Sequence, residues 1–258
     1  CSSDLSNMNY NQVNNTCFFN TLYIQYVEDI GRNEYFYYDL KYPVFYNVKN
    51  GYFQVSESIL KNLNNTISSS IYDFKQGIFE EEQQINTQNP DGSKTKVNYR
   101  VYSNYDLTFN KNHVVSFVIS LSAFEGNNPQ YNDLYNYNID LLTGNQLLLK
   151  DIFRPNVDYL KLVSDFVNFK INQNPTFYYP DASVDIPEDQ SFYLTDQGIV
   201  IYFGLDEISP AANDIPKFLM EFSNFESYIN PRFYCNAKNI NFNRMRANNF
   251  QQFNRVYY

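Results

Sequence analysis

The chain has 258 residues, 43% of them apolar and 19% aromatic, with 25 Tyr, 23 Phe and no Trp; a chain of this length buries a sizeable core in one or two domains. Its 28 acidic and 19 basic residues give a net charge of −9, which excludes the Lys/Arg surface that nucleic acid demands and suits a cationic partner. No apolar run reaches the roughly 20 residues of a membrane helix.

In chain order, residues 1–16 are polar and read as a tether. From Cys17 to Val48 two aromatic-rich alternating runs, FFNTLYIQYVEDI and EYFYYDLKYPVF, are strand material. Ile59, Leu63, Ile67, Ile71, Phe74 and Ile78 then recur at helical spacing, predicting a helix from Ser56 as N-cap to Phe79. The Glu80-Glu81-Glu82 run at its end opposes the helix dipole, so fraying is expected there. A Pro-Asp-Gly loop over Gln88–Lys96 leads to strands at Val97–Phe109, His113–Phe124, Leu134–Leu142 and Gln146–Leu149, with Glu125–Pro129 as a polar insert. A second helix is predicted over Val157–Gln173, stopped by Asn174-Pro175. A hairpin over Phe192–Phe203, an irregular stretch to Pro216 and a short segment over Phe218–Tyr228 that includes a final strand complete the pattern. Strands and helices in this order predict an α+β fold of antiparallel sheets with helices packed on one face. The domains expected are 17–150 and 151–235, followed by a basic aromatic tail, 236–258. That tail holds Lys238, Arg244, Arg246 and Arg255 and no acid, so it carries +4 and leaves −13 for the rest.

Chemistry is sparse. The single His, His113, stands beside a turn and reads as a surface or hydrogen-bonded residue; one His cannot build an Asp-plus-two-His metal site or HExxH, and no GxSxG, P-loop or dinucleotide fingerprint occurs. A carboxylate glycosidase would draw its pair from Glu125, Asp133, Asp140, Asp151, Asp206 and Glu207. The chain is therefore expected to be non-catalytic, with no cofactor and no metal. Cys17 and Cys235 read either as a disulfide closing a very long loop, worth roughly 4 kcal/mol, or as two unrelated buried thiols. The opening Cys1-Ser2-Ser3 is similar to a lipoprotein after signal cleavage, with a lipid on Cys1, or else marks a chance boundary.

Two phrases carry a resemblance. Tyr137-Asn138-Ile139-Asp140-Leu141-Leu142-Thr143-Gly144, followed by Leu149-Lys150-Asp151-Ile152-Phe153, looks like the end of one small domain and its linker. Phe192-Tyr193-Leu194 through Ile199–Phe203, then Glu207-Ile208-Ser209-Pro210-Ala211, looks like the signature of a second. Together they resemble the tandem extracellular domains of lysozyme-sensing anti-sigma factors, which also accompany peptidoglycan deacetylases of Gram-positive bacteria. Relatives carry a Gly-Gly-Ala-His-Gly turn where this chain has Ala123-Phe124-Glu125-Gly126-Asn127-Asn128. The resemblance implies an extracellular, surface-associated binding protein that recognises a lysozyme-like cationic protein or cell-wall glycan. Glu125, Asn127, Tyr131, Asp133 and Tyr135 are the expected contact residues, because Tyr combines a rigid ring with a polar tip. A structural role in a surface or spore layer is the alternative, motivated by the basic aromatic tail.

Overall fold

In a computed structural model, residues 17–87 and 96–234 are described. Five strands form the first sheet in the order β1-β2-β3-β4-β5: Leu22–Arg32, Phe36–Asn47, Tyr99–Lys111, Val114–Glu125 and Asn128–Asp140. Three form a second: β6 Phe192–Leu194, β7 Gly198–Tyr202 and β8 Lys217–Glu221. The α+β class is as expected, with one departure. Strands β2 and β3 run parallel, because the long helix α1, Glu57–Thr87, carries the chain from one end of the sheet back to the other.

Helix α1 runs eight residues beyond the expected end, to about 46 Å in length. Glu82 is buried, yet its oxygens accept from the Gln83 and Asn86 side-chain amides, and Asn86 also pins Val97 from both sides of its amide. These local partners override the unfavourable dipole. At the other end, the Ser56 carbonyl accepts from Leu60 N–H, and the Ser56 hydroxyl pairs with Ser58.

The predicted polar insert is a tight hairpin. Glu125 pairs with Asn128 across Gly126-Asn127, Gly126 has φ 59°, and β5 begins at Asn128 instead of Leu134. The β3–β4 turn is equally tight, with Asn112 and His113 both at positive φ. The expected strand at Gln146–Leu149 is reduced to a single bridge, Gln146 to Ile139, and then α2, Leu149–Ile152. Asp151 accepts from Leu148 N–H to start that turn. Helix α3, Tyr159–Gln173, begins where Asp158 accepts from Lys161 N–H. A one-turn helix α4, Phe222–Phe225, follows β8.

Two cores result. One lies under α1 and holds Leu40, Phe45, Ile67, Ile71, Val115, Phe117 and Ile119. The other joins α3 to the small sheet through Val163, Val167, Ile199, Ile201 and Met220. Leu147, Leu149, Phe109 and Val114 belong to this second core, so the β3–β4 hairpin end of the first sheet is built into it. Among the described residues no helix is long and apolar enough to cross a membrane.

Candidate functional site

The β2–α1–β3 crossover lays α1 across one face of the large sheet and leaves a groove between its flank and the edge strand β5. Ile59, Thr66, Ser70, Phe74, Gly77 and Glu81 lie on that flank, at helical spacing over about 33 Å. Across the groove, alternation places Tyr131, Asp133, Tyr135, Tyr137 and Ile139 on the same face of β5. Tyr137 stacks on Phe117 at 4.8 Å and its hydroxyl meets Ser70 at 3.2 Å, which seals the middle of the groove.

At one end is a cleft of about 400 Å³ lined by Ile59, Leu63 and Ile139 below and by Asn62, Thr66, Asn136 and Gln146 at the rim. No ionisable group other than Tyr137 lines it. Gly144, at φ 78°, closes this end. A Cβ there would lie 3.0 Å from Ile59, so the turn needs glycine twice over.

The other end is acidic. Glu125 sits opposite Tyr99 in the β3–β4 register, and Ala123 opposite Tyr131. The Tyr131 hydroxyl is 3.4 Å from Glu81, and its ring meets Phe74 edge-on at 6.1 Å. Among the described residues no Lys or Arg lies within ion-pair distance of Glu81, Glu125 or Asp133. Arg100, the nearest in register, points to the opposite face, where it covers Phe124 and donates to the Gly126 carbonyl. Tyr131 is raised above its ordinary range by Glu81 first, then by burial.

The structure thus places Glu125 and Tyr131 at the same end of the groove and strings Asp133 and Tyr135 further along the same edge, with Tyr131 and Tyr135 exposed. Asn127 is exposed at the hairpin tip. The sequence reading missed Glu81 and Tyr99, since nothing local signals that a helix end and the start of a strand converge there.

The carboxylates considered for glycosidase chemistry have other occupations. Asp140 binds Arg232 through both oxygens, at 2.7 and 2.9 Å. Asp151 starts α2, Asp206 accepts from the Tyr179 hydroxyl and Ala211 N–H, and Glu207 accepts from Gly204 N–H. The backbones of Glu125 and Asp133 stand about 13 Å apart along the sheet, four register positions from each other.

Tyr137-Asn138-Ile139-Asp140, the phrase that carried the resemblance, is architectural. Asn138 is fully buried; it accepts from Ser116 and donates to the Phe192 carbonyl, while Ser116 Oγ accepts from Leu194 N–H. Strand β6 is thereby bolted onto β4 and β5. Asp140 holds Arg232, whose guanidinium also reaches the Asn112 and His113 carbonyls.

His113 sits beside this clamp, packed against Phe18 and Phe53 at 4.8 and 4.1 Å. Burial, then the Arg232 charge, lower its pKa, against a smaller opposing effect of Asp140. A folded value below the unfolded one means that the unfolded chain takes up the proton first. The contribution is therefore full above about pH 6.5 and is lost as pH falls through the folded value. We expect the melting temperature of the wild type to fall more between about pH 7 and 5.5 than that of His113→Asn, which keeps the left-handed turn; equal slopes would contradict this role.

Cys17 is buried and disulfide-bonded. Asn112 contacts both its Sγ and the Arg232 carbonyl, so Cys17 lies beside the segment leading to Cys235. Cys235, Cys1 and the 236–258 tail lie outside the described residues.

These features define a class: an α+β protein of two sheets, bolted together by buried side-chain hydrogen bonds, with a groove along the helix-covered face. The comparisons bear on its fold. Residues 150–223 match a family model described as a protein of unknown function, DUF3298, and residues 31–127 match one described as deacetylase PdaC. A solved member of the DUF3298 family from Bacteroides fragilis superposes with a TM-score of 0.58 at 14% identity, over 81% of this chain and 93% of its own. Another, from Pseudomonas aeruginosa, gives 0.53 at 11% identity, over 83% and 96%. At such identities the likeness is one of fold. A search of curated proteins gives no match.

Proposed function

We propose that this protein is a non-catalytic binding protein of a bacterial cell surface, which recognises a cationic protein such as lysozyme with the acidic end of the α1–β5 groove. The observation that carries the reading is the uncompensated carboxylate set Glu81, Glu125 and Asp133, interleaved with the exposed rings of Tyr131 and Tyr135. Such a surface speeds encounter with a basic partner and supplies rigid rings for contact. The tandem of matched families supports a cell-wall setting, and the resemblance to anti-sigma ectodomains supports sensing. Extracellular placement in a Gram-positive cell and a lipid on Cys1 belong to the same reading.

Immobilised protein should bind lysozyme roughly tenfold more weakly at about 300 mM salt than at about 50 mM, as expected for screened charges. Asp133→Asn with Tyr135→Ala should weaken it further. No binding, or binding indifferent to salt, would refute the proposal.

A second reading rests on the uncharged cleft at the other end of the groove. Its apolar floor and amide rim suit the CH faces and hydroxyls of a neutral glycan, so cell-wall fragments would bind there without salt dependence. Asn62→Ala should abolish that binding and leave lysozyme binding intact.

A further inference from the structure

The acidic end of the groove contains a group whose bonding is incomplete. Tyr99 is 1% exposed, and its hydroxyl has no hydrogen-bond partner among the described residues. A phenol so placed has no described protein group to take its hydrogen bond, a cost that folded proteins rarely leave standing. Nearly all buried polar groups find a partner, so an orphaned one points to a partner that arrives from outside. Its surroundings say which kind. Burial and then Glu125, Glu81 and Glu82 push the Tyr99 hydroxyl up to about 12, so its surroundings are negatively charged. Among the described residues Glu82 is satisfied by two amides, whereas Glu81 has only the long contact to Tyr131, and Glu125 only Gln130 at 3.2 Å.

Gly77 lies on the same flank of α1 as Phe74 and Glu81, and a Cβ built there would touch nothing within 4 Å. A glycine inside a long helix costs about 1 kcal/mol relative to alanine, and here no close neighbour requires it. Tyr131 is 42% exposed, with its hydroxyl 3.4 Å from Glu81 and its ring edge-on to Phe74.

We propose that Tyr99, Glu81 and Glu125 form a socket for one arginine side chain of a partner protein. This deepens the cationic-partner reading and rests on it for the source of the arginine. The Tyr99 oxygen accepts an N–H of the guanidinium, the two carboxylates take the remaining edges, and the Phe74 and Tyr131 rings flank the methylene stem. Among the described residues no three carboxylate, imidazole or thiol groups are close enough to hold a metal ion. Acceptors spread this widely match a planar fork of five donors better than a compact ion or ammonium.

The test is an NMR titration of the whole chain with N-acetylarginine amide, N-acetyllysine amide and calcium chloride in parallel. Arginine amide should shift backbone signals at 125–131 and at 77–82. Tyr99→Phe should bind it at least about threefold more weakly, and Glu81→Gln with Glu125→Gln about tenfold. Tyr99→Phe deletes only an orphaned hydroxyl, so its unliganded melting temperature should equal or exceed that of the wild type; this separates loss of binding from loss of fold. The inference is overturned if Tyr99→Phe binds arginine amide as the wild type does, if lysine amide or calcium binds equally well, or if nothing binds. Arginine amide binding without lysozyme binding would keep the socket and sink the lysozyme reading. Lysozyme binding that the double Gln variant leaves unchanged would do the reverse.

Discussion

Asp140→Ala is expected to lower stability by about 3 kcal/mol and the melting temperature by about 6–10 °C. Asp140 and Arg232 are joined by two short charge-assisted hydrogen bonds, with their side chains 12% and 29% exposed. Removal of one partner leaves the other charge largely out of water, and partial exposure of the guanidinium keeps the loss at the lower end of the range for buried pairs. The pair also spans 92 residues of sequence, so its loss frees the end of the second module from the first. Arg232→Met alone should cost as much, and Asp140→Leu with Arg232→Met should recover part of the loss, because neither charge is then stranded. The acid limb follows the same logic. Burial alone pushes the Asp140 carboxyl up, but Arg232 and the backbone N–H groups of Leu142 and Thr143 overcome it and hold the pKa below the ordinary value. With the folded value depressed, the contribution is complete above about pH 4 and disappears as pH falls through the folded value. Thermal unfolding of wild type and Asp140→Asn from about pH 5 to 2 should therefore converge at the acid end. Curves that stay parallel would refute the assignment.

Asn138→Leu is the second large effect expected, again about 3 kcal/mol. The side chain is fully buried and satisfies the Phe192 carbonyl at 2.8 Å and the Ser116 hydroxyl at 2.7 Å. Leucine has similar volume but no polar atoms, so both partners lose a bond where water cannot replace it, at about 1–3 kcal/mol each. The site also joins the two sheets. Amide exchange in β6 and β7 should therefore accelerate more than in β3 and β4, as opening there decouples from the first core. Uniform acceleration would show that the hydrogen bonds stabilise the whole fold without joining its parts.

The position of this bolt explains what the resemblance phrases meant. Tyr137 shares one face of β5 with the core residue Ile139, while Asn138 and Asp140 take the other, and each polar member reaches a different element: Ser70 on α1, Phe192 on β6, and Arg232 beyond α4. The motif was legible as a phrase, but its role was not, because Ser70, Phe192 and Arg232 lie 54 to 92 residues away. The same distance explains the socket. Glu125 and Tyr131 were legible as polar and aromatic residues near a turn. Glu81 read only as part of an acidic run expected to fray, and Tyr99 as one ring in a strand. The helix continued past the run because Gln83 and Asn86 supply its carboxylate with donors, a side-chain arrangement that periodicity does not encode.

The sequence by itself determined the period of each segment, and with it the elements: 3.6 for α1 and α3, two for the strands, and breaks at Gly126 and Gly144. Periodicity is a local property, fixed by which residues must share a buried face. Tertiary structure decided three things: that β2 and β3 run parallel, that the first sheet's hairpin end enters the second core, and that three acids and an orphaned hydroxyl meet at one end of a groove. Those outcomes depend on where a 46 Å helix sets the chain down, and on buried polar groups finding partners far along the chain.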